Sequence, residues 1–231
     1  MRTDEFDKFA EEYLAMHATN VAITGEDPEY FARYKIDEIV RLYRARGLAA
    51  PQRILDFGCG IGGSIPHLKA AFPNAEIIGV DVSERSLDIA RGRFADLANF
   101  QLYGGGEILL PPESFDLIFS ACVFHHIEGE EHVQILQQLR RLVAPNGALV
   151  IFEHNPVNPV TRYIVATCPF DENAVLIPSG AFAKAQRDAG FSRVEVAYTG
   201  FFPGSLRKLR PLEPLLRAVP VGAQYYTYAR P

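Results

Sequence analysis

The most informative pattern in this sequence is ILDFGCGIGG at residues 54–63. An apolar, β-branched run ends in glycines, and a helical pattern continues as far as Phe72. Gly58, Gly60 and Gly63 satisfy the spacing GxGxxG, in which missing side chains allow a tight turn and a close approach of the backbone to a ligand. The stretch therefore predicts a strand, a ligand-binding turn and a helix over residues 61–72.

A second strand, IIGVD at residues 77–81, follows this helix and completes a βαβ unit. It ends in Asp81, about 20 residues after the glycine-rich turn, where a carboxylate accepts hydrogen bonds from ribose hydroxyls. This pattern indicates a cofactor that contains a nucleoside. It fits both a dinucleotide and S-adenosylmethionine.

Asp56 helps to separate these two cofactors. It lies inside the first strand, just before the glycines, where a buried carboxylate is costly unless it organises the turn or meets a cation. The amino group and the sulfonium of S-adenosylmethionine carry positive charge, whereas the pyrophosphate of a dinucleotide would be repelled. Asp56 therefore favours S-adenosylmethionine.

Strand and helix patterns alternate along the rest of the chain, which predicts an α/β domain with a parallel sheet. A helix capped by Ser83 is expected to run to about Ala98, and an amphipathic helix at residues 130–143 is expected to stop before Pro145. Another helix is expected over residues 179–189. Further strands are predicted at FQLY (100–103), FDLIFSACV (115–123), GALVIFEH (147–154), SRVEVAYTGF (192–201) and GAQYYTYAR (222–230), the last close to a sheet edge.

The chain of 231 residues is long enough for one domain to bury its own core, so residues 1–231 are expected to form a single unit. Its three cysteines, Cys59, Cys122 and Cys168, are widely spaced, which suits reduced thiols rather than a disulfide framework. No apolar run approaches the roughly 20 residues of a membrane span. The acidic N-terminus does not resemble a secretory signal, so a cytoplasmic protein is expected.

The formal net charge of −5 argues against a surface built to bind nucleic acid. One basic segment, LRKLRPLEPLLR at residues 206–217, is an exception. It is consistent with a solvated loop or helix face, and an RNA-binding role is the alternative. We expect a small-molecule partner and no nucleic acid.

Two helical patterns precede the core and are expected to form a helical lid over residues 1–50. The second pattern starts at Asp27 and Pro28 and ends near Gly47, and the first has an apolar stripe. The alternative is that both helices simply cover the sheet. The stripe consists of Phe6, Phe9, Ala10, Tyr13 and Leu14, and the side chains expected to line an acceptor pocket are Tyr13, His17, Tyr30 and Tyr34.

Together these motifs resemble the class I methyltransferases over nearly all of residues 50–230. ILDFGCGIGG is similar to the family's first motif and GVDVS (79–83) to its second. SFDLIFSACVFHHI (114–127) and LRRLVAPNGALVIFEH (139–154) are similar to its fourth-strand and fifth-strand motifs. The resemblance implies a doubly wound, seven-stranded, mostly parallel sheet whose last strand is antiparallel. It also implies methyl transfer from S-adenosylmethionine to a small-molecule acceptor.

The resemblance divides the chain into the lid, a cofactor-binding core (51–153), an acceptor-side insertion (154–178) and a C-terminal helix with strands (179–231). It implies that Asp56 and the turn hold the methionine end, Asp81 the ribose and Val82 one adenine face. The loop YGGGEILLPP (103–112) would meet the adenine edge, although it lacks the Asp that many members carry there. The implied cofactor residues are Asp56, Gly58, Cys59, Gly60, Asp81, Val82, Gly105, Gly106 and Ala121.

Candidate catalytic residues follow strands four and five, because ligands of open α/β sheets bind at the carboxyl ends of the strands. His125 and His126 are candidate general bases, and Glu153 is a candidate catalytic or positioning group. His154 is a candidate acceptor contact. Alignment of acceptor, methyl carbon and sulfur is the alternative to a base, since the leaving group is already activated.

No metal site is expected, because His125, His126, His154 and Cys168 match no zinc-binding spacing. Two other functions stay open. An NAD-dependent oxidoreductase would use the same glycine turn and Asp81, and a non-catalytic protein could bind S-adenosylmethionine without transferring its methyl group. The sequence does not predict an oligomeric state.

Overall fold

A computed structural model describes residues 24–231, so Tyr13, His17 and the first helical pattern lie outside the described residues. The described chain forms one seven-stranded sheet in the order β3-β2-β1-β4-β5-β7-β6. The strands are β1 (Arg53–Phe57), β2 (Glu76–Asp81), β3 (Asn99–Leu102), β4 (Phe115–Ala121), β5 (Val143–His154), β6 (Arg193–Thr199) and β7 (Gln224–Arg230).

The first five strands pair in parallel, and β7 pairs antiparallel with both β5 and β6. The predicted mostly parallel sheet with an antiparallel last strand is therefore confirmed. β1 pairs with β2 on one side and with β4 on the other. The chain thus reverses its direction of winding at β1, and in such sheets ligands bind where the loops after these two strands diverge.

Helices cover both faces of the sheet. Apolar side chains of α1 and α2 pack on one face, and those of α4 and α6 pack on the other, as expected for a doubly wound domain. The helices are α1 (Pro28–Ala45), α2 (Ile65–Ala71), α3 (Glu84–Phe94), α4 (His132–Leu142), α5 (Pro159–Ala166), α6 (Ser179–Asp188) and α7 (Glu213–Leu216), with short 3₁₀ helices at Phe124–His126, Pro169–Asp171 and Gly204–Leu212.

Helix α1 begins where the sequence pattern predicts. The Asp27 carboxylate accepts a hydrogen bond from the backbone N–H of Tyr30, and Pro28 occupies the first turn, where no intrahelical donor is lost. Four side chains on one stripe of the helix are buried against the sheet. They are Ile36, Ile39, Leu42 and Tyr43. The C-terminal half of α1 is thus a core element, and a lid role for its N-terminal half stays a prediction.

Several predicted boundaries are wrong, and two of them have a clear local cause. Helix α2 starts at Ile65 rather than at residue 61, because the glycine-rich turn continues through Gly62, whose φ is +81°. Strand β5 starts at Val143, ahead of Pro145, since the register shifts beside Phe115 and accommodates the extra residues.

The insertion at residues 154–178 contains regular structure. Asn158 caps α5 by accepting a hydrogen bond of 3.0 Å from the backbone N–H of Thr161, and Pro159 occupies the first turn. Helix α5 turns the chain so that Asp171 lies next to His125 and His126, at the ends of β4 and β5. None of the helices formed by residues 24–231 is long and apolar enough to cross a membrane.

Candidate functional site

The glycine-rich turn after β1 is fixed to β2 by backbone hydrogen bonds. The N–H groups of Gly58 and Cys59 both donate to the carbonyl of Val80, at 2.8 Å and 3.1 Å. Gly58 has a φ of +76°, and a Cβ there would lie 2.3 Å from Cγ2 of Val123, which follows β4. Gly60 also has a positive φ, of +51°, but no atom lies within 4 Å of its Cβ position. The turn is therefore closed on the side of Val123 and open at Gly60.

Asp56 lies directly beneath this turn. Its side chain is 2% exposed, and its Oδ2 atom has no hydrogen-bond partner among the described residues. Burial, with a smaller effect of the nearby Asp81 carboxylate, raises the pKa of Asp56 to about 8. A buried carboxyl with an unused acceptor is costly in the free protein, so the position suits a cationic group of a ligand.

Asp81 supports the same turn from the end of β2. Its Oδ2 accepts a hydrogen bond of 2.7 Å from the N–H of Gly60, and its Oδ1 accepts one of 3.0 Å from the N–H of Ser83. Val82 is buried beside it. The carboxylate thus shapes the turn and the start of α3, a structural role that its spacing did not reveal.

The loop of Gly104–Gly106 lines a shallow cleft together with Val80 and Ile108. A residue that the sequence analysis missed holds this loop: Gln138 of α4 donates to the Gly106 carbonyl at 3.0 Å and accepts from the Ile108 N–H at 2.7 Å. Glu107 is directed outward toward Arg141 at 3.8 Å. Gln138 lies on an amphipathic helix, where nothing in the sequence distinguishes it from solvent-facing residues.

The residues after β4 adopt an unusual backbone. Ala121 pairs with Phe152, and the next residue, Cys122, has a φ of +58°, which is rare for a residue with a side chain. The Cys122 N–H donates to the Phe152 carbonyl at 2.8 Å, and its Sγ accepts from Nε2 of Gln224 at 3.3 Å. Strained backbone of this kind is held by surrounding contacts and concentrates at functional sites.

Helix α1 reaches the same region through Tyr34. Its hydroxyl donates to Oε1 of Gln224, and its ring stacks on Tyr30 with centroids 5.6 Å apart. The guanidinium of Arg210 lies over Tyr30, 4.4 Å from the ring centroid, and pairs with Glu26. Tyr30 and Tyr34 therefore lie near the end of β4. The basic segment 206–217 is partly used in internal ion pairs.

His125 and Glu153 form a buried pair. Glu153 accepts hydrogen bonds from the N–H groups of Val123 and Phe124, at 3.0 Å and 2.8 Å, and lies 2.6 Å from Nδ1 of His125. Burial alone would lower the pKa of His125, but Glu153 and Asp171 outweigh it and raise that pKa to about 10. With both ring nitrogens facing carboxylates, His125 is built to hold the loop.

His126 and His154 have the opposite electrostatics. Burial lowers the pKa of both imidazoles, that of His154 to about 4. Nε2 of His126 lies 3.3 Å from Oδ1 of Asp171, and the His154 ring centroid is 5.1 Å from that of His125. Burial would raise the pKa of Asp171, but hydrogen bonds from His125 and His126 hold it well below its usual value.

The structure therefore brings the predicted site residues into two adjoining groups. Asp56, the turn and Asp81 form the first, and the residues after β4 and β5 form the second. Asp171 joins the second group although it lies in no recognisable motif. It comes from an insertion whose path is set by α5. Cys168 lies nearby in the chain and is a buried thiol that forms no disulfide.

A family model described as "Methyltransferase domain" matches residues 55–149. Trans-aconitate 2-methyltransferase of Methylobacterium radiotolerans is 34% identical over 127 residues, 53% of this chain and 47% of the relative. The enzyme of the same name from Methylobacterium nodulans is 32% identical over 156 residues, 66% of this chain and 57% of the relative. The chain thus spans about half the length of these curated relatives.

Solved structures support the same fold. A methyltransferase of Thermotoga maritima, described as S-adenosylmethionine-dependent and a possible histamine N-methyltransferase, superimposes with a TM-score of 0.69 at 19% identity. The superposition covers 99% of this chain and 98% of the Thermotoga chain. Residues 55–149 thus match a methyltransferase domain, and the chain has the fold of class I S-adenosylmethionine-dependent methyltransferases.

Proposed function

We propose that the protein binds S-adenosylmethionine and transfers its methyl group to a small-molecule acceptor, releasing S-adenosylhomocysteine. The observation that carries this proposal is the buried Asp56 carboxyl beneath the open glycine turn. Its unused oxygen can accept from the ammonium group of the methionine end, whose positive charge would offset the burial that raises the pKa of Asp56. The sulfonium supplies an activated methyl group when the cofactor is bound.

The residues of this chain have distinct parts in that proposal. Asp56 and the backbone at Gly60 hold the methionine end, and Asp81 holds the ribose. The Gly104–Gly106 loop offers only backbone groups to adenine, and Gln138 keeps that loop in place. Val123 closes the turn on the side of β4. Positioning of this kind supplies much of the acceleration in a reaction whose leaving group is already activated.

On the acceptor side, His126 is the proposed contact and His125 a positioning residue. The His126 side chain is 14% exposed and that of His125 is 1% exposed. Glu153 orients His125 and ties the loop after β4 to β5. Tyr30, Tyr34 and His154 are proposed to form the pocket wall, because an aromatic wall excludes water around a sulfonium and stabilises its charge.

Calorimetric titration with S-adenosylmethionine, S-adenosylhomocysteine and NADH in parallel tests the cofactor. We expect micromolar binding of the first two and no heat from NADH. Tight NADH binding alone would instead favour the oxidoreductase alternative. Acceptor screening by mass spectrometry then separates an enzyme from a protein that only binds the cofactor.

The acceptor panel should start with trans-aconitate, because the first sequence relatives carry that name. A methylated product that depends on S-adenosylmethionine would identify the acceptor. If trans-aconitate is inert while another hydroxy or carboxylic acid is methylated, the acceptor differs from the relatives' substrate but the proposed reaction stands.

Replacing Asp81 by Ala is expected to weaken S-adenosylmethionine binding by about 1–3 kcal/mol, the usual range for hydrogen bonds to charged groups. The substitution removes both the proposed contact of the carboxylate with the ribose and its hydrogen bond from the Gly60 N–H. Calorimetry measures the change. Asp88→Ala on the exposed face of α3 is the matched control and should bind normally. Equal affinities in both variants would contradict the ribose assignment.

Replacing His126 by Ala is expected to lower turnover about tenfold or more while leaving the dissociation constant of S-adenosylmethionine unchanged. His126 is the proposed acceptor contact, and its Nε2 lies 3.3 Å from Oδ1 of Asp171. Turnover with the acceptor found by screening and calorimetry with the cofactor give the two numbers. His67→Ala on α2 controls for loss of a histidine elsewhere, and unaltered turnover in His126→Ala would remove the assigned role.

A further inference from the structure

We propose that His125, His126 and Asp171 bind one divalent first-row transition-metal ion beside the proposed acceptor pocket. These three residues are called the histidine–aspartate cluster. The proposal goes beyond methyl transfer, and its location next to the acceptor rests on the function proposed above. The spacing of His125, His126, His154 and Cys168 predicts no metal site, and Asp171, which completes the cluster, lies outside that set.

The distances within the cluster suit a shared ion. Oδ1 of Asp171 lies 3.3 Å from Nε2 of His126 and 3.6 Å from Nε2 of His125, and one ligand atom from each residue lies within 4.8 Å of the others. Ligands about 2 Å from one metal ion at tetrahedral or octahedral angles are roughly 3 Å apart. Small side-chain shifts would therefore place all three atoms around one ion.

The surroundings of His125 also match those of a metal ligand. A histidine that coordinates through one nitrogen usually donates from the other to a carboxylate, which fixes the ring orientation. His125 directs Nδ1 to Oε2 of Glu153 at 2.6 Å, and Glu153 is itself held by two backbone N–H groups. The Nε2 atom faces Asp171, and an ion bound between them would replace the proton that this nitrogen shares with the carboxylate in the free protein.

The histidine–aspartate cluster is buried except on the side of His126. The side chains of His125 and Asp171 are 1% and 7% exposed, whereas that of His126 is 14% exposed. Three protein ligands with an open position are the arrangement of catalytic rather than structural metal sites. Two imidazoles and one carboxylate select borderline ions such as Zn²⁺, Fe²⁺ or Co²⁺ over Mg²⁺ or Ca²⁺, which prefer oxygen ligands alone.

An ion at this place would take an oxygen atom of the acceptor as a further ligand. Metal binding lowers the pKa of such an oxygen, so a hydroxyl would release its proton to solvent. The oxygen then forms a bond to the methyl carbon as the bond from that carbon to sulfur breaks, and sulfur keeps the electron pair. The acceptor class predicted by this site is therefore an oxygen acid, either an alcohol or enol that ionises or a carboxylate.

Cobalt titration of the full chain tests the site. The protein is first treated with a chelator and dialysed, and Co²⁺ is then added while visible absorption is recorded. We expect d–d absorption bands typical of Co²⁺ bound by nitrogen ligands. Their intensity should stop increasing at one ion per chain. His126→Ala and Asp171→Asn should each weaken Co²⁺ binding by at least about tenfold, since loss of even an outer-shell partner has an effect of that size.

His67→Ala is the matched control, because this histidine lies on α2 outside the cluster, and it should bind Co²⁺ like the wild type. Titration of every variant with S-adenosylmethionine reports separately on the fold and on the proposed function. Loss of Co²⁺ binding with intact cofactor binding in Asp171→Asn supports the site. Lack of saturable bands in the wild type, or equal Co²⁺ affinity in wild type and both cluster variants, would overturn it.

The two proposals fail in different ways. If the wild type binds Co²⁺ through the cluster but does not bind S-adenosylmethionine, the metal site stands and the methyl-transfer proposal falls. If S-adenosylmethionine binds and Co²⁺ does not, the metal-site proposal falls and the methyl-transfer proposal stands.

Discussion

At pH 9, Asp56→Asn is expected to unfold at a higher temperature than the wild-type protein when no cofactor is present. The Asp56 carboxyl has a pKa of about 8 in the folded protein, raised mainly by burial, whereas an unfolded Asp titrates near 4. The folded state therefore binds the proton more tightly than the unfolded state. Between those two values each rise of one pH unit destabilises the wild-type protein, by about 1.4 kcal/mol where the difference in proton binding is complete.

An asparagine cannot ionise and does not experience this loss. The difference in melting temperature between variant and wild type should be small at pH 5, grow up to about pH 8 and then level off. A shift of several degrees is expected, since about 1 kcal/mol corresponds to roughly 2–4 °C in a domain of this size. If the difference in melting temperature does not depend on pH, ionisation of Asp56 does not destabilise the folded protein.

The same variant should lose the response to the cofactor. S-adenosylmethionine should raise the melting temperature of the wild-type protein, because a ligand that binds only the folded state stabilises it. Asp56→Asn should show little of this increase. A more stable protein that binds less cofactor is the trade-off expected where a buried charge is kept for binding.

Gly58→Ala is expected to lower the stability of the protein by about 2 kcal/mol or more. An alanine here would have to adopt a left-handed backbone conformation, which costs about 1–2 kcal/mol. Its Cβ would also lie only 2.3 Å from the Val123 side chain and collide with it. Thermal or urea unfolding measures the loss. S-adenosylmethionine binding should fall as well, because the collision moves the turn that carries the site.

Two further variants separate these causes. Val123→Ala removes the atoms in collision, so Gly58→Ala should cost less in that background, as a double-mutant cycle would show. Gly60→Ala shares the positive φ but meets no atom within 4 Å. It should therefore destabilise the protein less while still filling the space proposed for the cofactor. Equal losses of stability at Gly58 and Gly60 would refute the importance of Val123.

Much of the fold could be predicted because the deciding signals are local. The glycines after β1, the carboxylate ending β2 and the apolar strand patterns each report on their own segment. The parallel core and its antiparallel last strand followed from these patterns and the family resemblance. Boundaries were less predictable where tertiary contacts override local signals, as at the start of β5, where Pro145 lies within the strand.

The second group of site residues was only half predictable. His125, His126 and Glu153 follow strands, so their position at one sheet edge could be anticipated. Asp171 and Gln138 reach the site through long-range packing, and neither lies in a distinctive motif. Likewise, the sequence could not show that His125 lies between two carboxylates. Nor could it show that burial lowers the pKa of His126 and His154.

The position of β7 imposes an order on the folding of the chain. Because β7 lies between β5 and β6, strand β6 has no neighbour in the sheet until residues 224–230 have been synthesised. Before that moment, the twelve-residue strand β5 exposes an unpaired edge during translation. A growing chain with such an edge is prone to aggregate, so chaperones that cover it would be needed most just before synthesis of the last strand.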